Sequence, residues 1–176
     1  MKVRLLHEID PETKDDILEN GIKRGAEGEK TDSEKQKIDT FLDTHLPDWA
    51  KEQQVSRRSA TYCYLEADGK IIDITDGEPV DLADFMAKSG QTLLWLDVEV
   101  DDCYVSDLDA YDTLMRAMEL DEQDSTREHL ADRYWQRMIP LGEYQPGMIR
   151  RPEVLVVADV DPHDMRVAAE EERQTV

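Results

Sequence analysis

Cysteine is nearly absent from this chain, and aromatic residues make up only 6% of it. Cys63 and Cys103 lie far apart with no paired spacing, so neither a disulfide framework nor a zinc site is indicated, and both read as small core residues. No apolar run approaches the ~20 residues of a membrane span. The opening MKVRLLHEID also lacks the apolar segment of a signal peptide, so the expectation is a soluble, cytoplasmic protein with no membrane partner. There is no GxGxxG and no Walker phosphate loop. His45, His129 and His163 fall at helical or loop spacings and form no HExxH or other motif, so no metal is implied.

Positive charge is the other shortage. Twenty-one Lys and Arg stand against 42 Asp and Glu, a formal net charge of -21. Broad electrostatic binding of nucleic acid needs clustered Lys and Arg, which leaves small candidate patches at Arg57-Arg58 and Arg150-Arg151. The acids are dispersed along the whole sequence, the pattern of a solvated surface adapted to a halophilic, salt-rich cytoplasm. There a Debye length of about 3 Å at 1 M screens the self-repulsion.

What the chain does contain is a series of short β segments and capped helices. The most distinct β segment covers residues 154–160, a nearly continuous β-branched and aliphatic run between Pro152 and Asp161-Pro162; it reads as a strand buried on both faces, with Glu153 at its mouth. A first strand over residues 2–6 ends at His7 and Glu8, and Asp10-Pro11 caps a helix that Gly21 stops. A polar loop over residues 25–32 precedes a helix from Ser33 that carries Ile38, Phe41, Leu42, His45 and Leu46, and Pro47 ends it. The run SATYCYL, residues 59–65, reads as a strand turned back at Asp68-Gly69 into residues 70–74.

Further on, Asp81 reads as the cap of a helix bearing Leu82, Phe85 and Met86, stopped by Gly90. A long strand over residues 92–100 puts Leu94, Leu96, Val98 and Val100 on one face and Trp95 on the other, and Cys103 to Val105 reads as its extension beyond a bend. Helices capped by Asp107 and running from about Ser125 to Met138 form a helical insertion at about 107–139. Strands and helices do not alternate regularly, so the expectation is one α+β domain over the full 1–176.

Three positions then fall in order: His7 ending the first strand, Tyr62 and Tyr64 in a middle strand, and Glu153 heading a late one. LLHEIDPETKDDILENGIK, WLDVEVDDCYVSD, RYWQRMIPLGEY and RRPEVLVVADVDPHDM together resemble the ADP-ribosyltransferase-like superfamily, which includes diphtheria-toxin-like, poly(ADP-ribose) polymerase-like and RNA 2′-phosphotransferase-like proteins. The resemblance implies split antiparallel or mixed β-sheets with flanking helices, and NAD as a substrate. In that pattern His7 would bond the ribose, Tyr62 or Tyr64 would stack on nicotinamide, and Glu153 would favour an oxocarbenium-like transition state. Glu8 and Ile9 depart from the Gly or Thr common after that histidine. Arg58, with Arg57, stands where a phosphate could be held by bidentate hydrogen bonds.

The expected function is NAD-dependent ADP-ribosyl transfer to a nucleic acid or protein, as a toxin or defence factor that an antitoxin or other protein partner would accompany. The alternatives are an RNA 2′-phosphotransferase and a catalytically silent binding module that uses its acidic surface or the Tyr134-Trp135 helix. The charge itself has a direct consequence. With 21 unbalanced negative charges on one fold, thermal stability should rise steeply from dilute buffer to molar KCl, and coincident melting curves at the two salt concentrations would overturn the salt-adapted reading.

Overall fold

A computed structural model of the chain describes residues 1–25 and 33–168. Its secondary structure is mixed, with three antiparallel sheets and six α-helices among the described residues, which makes the domain α+β. The first sheet has the order β1 (Lys2–Ile9), β6 (Thr92–Glu99), β10 (Met165–Val167). The second has the order β2 (Thr61–Cys63), β9 (Pro152–Val156), β7 (Cys103–Asp107), β8 (Ile139–Pro140). A small third sheet joins β3 (Glu66–Ala67), β4 (Lys70–Ile72) and β5 (Pro79–Asp81).

Alternating side chains explain how these sheets stack. Leu5, Leu94, Leu96 and Val98 leave the inner face of the first sheet and meet Cys63, Cys103, Val105, Val154 and Val156 from the second. On the outer face of the first sheet, Leu6, Leu93 and Trp95 pack against Ile71 and against Leu82, Phe85 and Met86 of α4 (Leu82–Ser89). On the outer face of the second, Tyr104 and Leu155 are covered by Ile38 and Leu42 of α2 (Ser33–Asp43), by α5 (Leu108–Glu119) and by α6 (Asp124–Arg137). Each sheet is thus apolar on both sides, which is why β9 is buried at all five positions.

Several boundaries differ from the sequence reading, each for a tertiary reason. The late strand stops at Val156, because Val160 leaves the sheet to bridge Ile22. Glu153 is therefore the second residue of the strand, paired opposite Ser106, and not a group at its mouth. The first strand continues through His7 to Ile9 because β6 offers partners as far as Thr92. The segment after the bend at Val100–Asp102 does not prolong β6; it crosses to the second sheet as β7.

The hairpin at Asp68-Gly69 forms, with positive φ at both residues, but it joins β3 to β4 instead of extending from the tyrosine strand. Asp81 precedes α4 without capping it through its side chain and pairs with Lys70 instead, whereas Asp107 accepts from the backbone of Asp109 and Ala110 as a true cap. The helix from Ser33 ends at Asp43, with α3 (Asp48–Glu52) following Pro47. The polar loop expected over residues 25–32 lies, beyond Gly25, outside the described residues. No described helix is long and apolar enough to cross a membrane.

Asp10 accepts from the backbone of Glu12 to open a 3-10 turn that runs into α1 (Lys14–Asn20), and Gly21 ends it at φ +81°. A Cβ at Gly21 would lie 2.4 Å from the Val160 carbonyl, whereas one at Gly90, which has φ +69°, would meet nothing within 4 Å. Gly90→Ala should therefore cost about 1 kcal/mol of left-handed backbone strain, and Gly21→Ala roughly 3 kcal/mol, because the Ile22–Val160 bridge must also shift. Equal melting temperatures for the two variants would contradict this packing.

Candidate functional site

Where β1 and β2 meet, the first sheet is joined to the second by reciprocal backbone hydrogen bonds between Leu6 and Tyr64. Beside this bridge lies a cavity of about 510 Å³, walled by the end of β1, by α1, by the residues after Gly21, by Lys35 of α2, by Tyr62 to Tyr64 and by Glu153. His7, Tyr62, Tyr64 and Glu153, which are separated by up to 146 positions in the chain, all line it.

Each of these side chains is set by a specific contact. His7 is buried, and its Nδ1 lies 2.7 Å from the carbonyl oxygen of Tyr62. A carbonyl can only accept, so Nδ1 carries a proton and donates it to Tyr62. Tyr62 and Tyr64, two residues apart, point to the same side of their strand. The Tyr62 hydroxyl donates to the Arg57 carbonyl, and its ring already has two cations over it, Arg57 at 4.6 Å and Lys35 at 4.7 Å from the centroid. Tyr64 is less engaged: its ring meets Phe85 edge-on at 4.8 Å, and its hydroxyl has no hydrogen-bond partner among the described residues. Burial pushes both phenols well above the usual tyrosine range; around Tyr64 the carboxylates of Glu8, Glu153 and Asp73 push further in the same direction.

Glu153 is held by a residue that the sequence reading treated only as one of a surface pair. Arg57 is 1% exposed, and its Nη1 donates to Glu153 Oε1 at 2.7 Å and to the Tyr134 hydroxyl at 3.0 Å, while its Nε donates to Asp39 Oδ1 at 3.0 Å. The same Asp39 oxygen accepts from the Tyr111 hydroxyl at 3.0 Å. The guanidinium also lies over the rings of Tyr62, Tyr111 and Tyr134. Burial works against its charge, but the surrounding tyrosines and carboxylates outweigh that and hold its pKa well above the usual arginine value. Tyr134, fully buried beside it, is pushed up to about 12.

Arg58 does not take part. Its side chain is exposed and absent from the cavity wall, and it contributes a backbone N–H to Asp43, as does Arg57. In the bend at residues 57 and 58, Arg57 turns into the core and Arg58 out to solvent. The second pair is also engaged: Arg150 holds Asp109, and Arg151 holds Asp109 and Asp112. Tyr134 and Trp135, considered above as an interface, are both buried in the helical core.

Sequence reasoning missed Asp39 and Lys35, and it gave Arg57 a phosphate to hold where the structure gives it Asp39 and Glu153. One signal was present: Asp39 lies beside Ile38 and three residues before Leu42, so it is a carboxylate at the edge of an apolar helical stripe, a position that usually requires a partner. The identity of that partner is a tertiary fact. No family model matches the chain, and neither a curated protein nor a solved structure matches it.

The cluster counts two carboxylates against one guanidinium. Arg57→Met would leave both carboxylates buried without their cation and should cost about 3–5 kcal/mol. Glu153→Gln keeps an acceptor for Arg57 and leaves a balanced Arg57–Asp39 pair, so it should cost only about 1 kcal/mol. Denaturant melts of the two variants measure the difference, and equal losses would show that Arg57 is not the hub of this cluster.

Proposed function

We propose that the cavity binds NAD and transfers its ADP-ribose unit to a nucleic acid or protein acceptor, in the manner of the ADP-ribosyltransferase-like superfamily that the sequence resembles. The observation carrying this reading is the convergence of His7, Tyr62, Tyr64 and Glu153 on one cavity between two antiparallel sheets. A site of about 510 Å³ falls within the range of roughly 300–1,000 Å³ typical of ligand pockets.

The chemistry assigns each group a task. His7 hydrogen-bonds the ribose, its ring held in orientation by the bond from Nδ1 to the Tyr62 carbonyl. Tyr64 is the stacking partner for nicotinamide, because the Tyr62 ring is already covered by cations. Glu153 Oε1 is held by Arg57, and Oε2, which has no partner among the described residues, accepts from a second ribose hydroxyl. The glycosidic C–N bond breaks, nicotinamide leaves with the electron pair, and the acceptor nucleophile bonds to the ribose carbon as its proton is lost. The carboxylate stabilises the positive charge that develops on the ribose as that bond breaks.

The RNA 2′-phosphotransferase alternative needs several cations converging on the cavity, and Arg57, Arg150 and Arg151 are all taken by carboxylates. A silent binding module on the same fold is favoured by one observation: Glu8, Asp10 and Asp16 on the cavity wall have no cationic partner among the described residues, and they oppose a dinucleotide's phosphates. In the transferase reading the protein is a toxin or defence factor, with an antitoxin or other protein as its partner.

Release of nicotinamide from NAD in molar KCl tests the proposal. Glu153→Gln should lower the rate about 10²-fold or more while changing NAD binding much less, because the ribose charge develops only as nicotinamide departs. Glu143→Gln, outside the cavity, is the control. Turnover by the wild type and by Glu153→Gln at one rate would remove the role of Glu153, and absence of turnover with no heat of NAD binding would favour the silent module.

A further inference from the structure

Resting on the NAD reading, the charges behind and around the cavity carry a consequence for which form of the dinucleotide it takes. Four carboxylates line the wall, from Glu8, Asp10, Asp16 and Glu153, against the ammonium groups of Lys23 and Lys35. Glu8 accepts from the Ser89 hydroxyl at 2.7 Å, a neutral donor that leaves its charge uncompensated. Arg57 alone would cancel Glu153, since a guanidinium 2.7 Å away is its nearest charge. Asp39 prevents this. It holds Nε of the same guanidinium at 3.0 Å, so the buried group keeps one formal negative charge, and Glu153 is its member on the cavity side.

We propose that Asp39, although it does not line the cavity, acts with Glu8 to make the site select a ligand whose ring end carries a positive charge: the oxidised dinucleotide with its pyridinium ring over the reduced one with its neutral dihydropyridine. The two ligands share their phosphates, riboses and adenine and differ by one charge at the ring, the part that would lie against Tyr64 and Glu153. A unit charge one guanidinium away in a water-poor site is felt at the ring, and buried charges are screened far less by salt than surface ones. Tyr64 reports the charge at this end of the cavity: burial raises its phenol first, and the carboxylates of Glu8, Glu153 and Asp73 raise it further. Asp39 is a specificity-determining residue that acts through Arg57 and touches no substrate.

Calorimetric titration of NAD and of NADH into the wild type, Asp39→Asn and Glu8→Gln, all in molar KCl, tests the proposal. Asp39→Asn keeps an acceptor for Arg57 and Tyr111 and leaves Arg57 balanced by Glu153; Glu8→Gln alters only a half-buried side chain, so one variant keeps the test open if the other fails to fold. The wild type should bind NAD about tenfold more tightly than NADH, and each variant should cut that ratio to roughly threefold or less by weakening NAD alone. A purely structural role would weaken both nucleotides together and leave the ratio unchanged, which would overturn the proposal. Equal affinities in the wild type would overturn charge selection while leaving the NAD site standing. Binding of neither nucleotide would overturn the NAD reading and this inference with it.

Discussion

The structure depends on the burial of one positive charge. A guanidinium out of water is costly unless its donors and its charge are both met, and Arg57 meets that demand with groups from four separate elements: Asp39 of α2, Tyr111 of α5, Tyr134 of α6 and Glu153 of β9. Removing any of these groups leaves the others with an unmet requirement, so the helical layer and the second sheet have little freedom to slide past each other. A packed apolar core could have given comparable stability. What the ionic arrangement adds is a fixed direction for the Glu153 carboxylate, toward the cavity.

The same contrast between buried and exposed charge divides the whole molecule. Most acids lie at the surface, where salt screens them, and exposed pairs such as Lys2 with Asp164 or Met1 with Glu99 are worth little each. The Arg57 cluster is screened much less and keeps its electrostatics across salt concentrations that transform the surface. A protein with this charge can therefore depend on its environment for overall stability while its site geometry does not.

Legibility in the sequence followed the locality of each cause. Buried strands were readable because β-branched runs and alternation are local signals, and the Asp107 cap and the Asp68-Gly69 turn were readable because their chemistry spans a few residues. Tyr62 and Tyr64 could be singled out from an aromatic strand run, whereas His7 and Glu153 were singled out as strand ends and in fact lie inside β1 and β9. What was not legible depends on contacts across the chain. The crossing of residues 103–107 to another sheet looks like strand continuation, since Val100–Asp102 gives no sign of direction. Choosing between Arg57 and Arg58 required knowing that Asp39 and Glu153, 18 and 96 positions away, meet on one side of the turn.

The bridge between Leu6 and Tyr64 has a consequence for how the cavity wall is held. β1 and β6 are zipped along eight residue pairs, whereas β1 meets the tyrosine segment through two backbone hydrogen bonds, Tyr64 N–H to Leu6 at 2.7 Å and Leu6 N–H to Tyr64 at 3.4 Å, and the His7 side chain on the Tyr62 carbonyl. The two backbone bonds are worth about 1–3 kcal/mol together, a small amount beside the apolar burial between the two sheets. The seam is therefore where backbone pairing between the two sheets is sparsest, and the apolar core formed by Leu5, Leu94, Leu96 and Val98 with Cys63, Val105, Val154 and Val156 is what keeps them together. A ligand in the cavity therefore meets a wall with few backbone bonds, whose position is set by the side chains packed behind it.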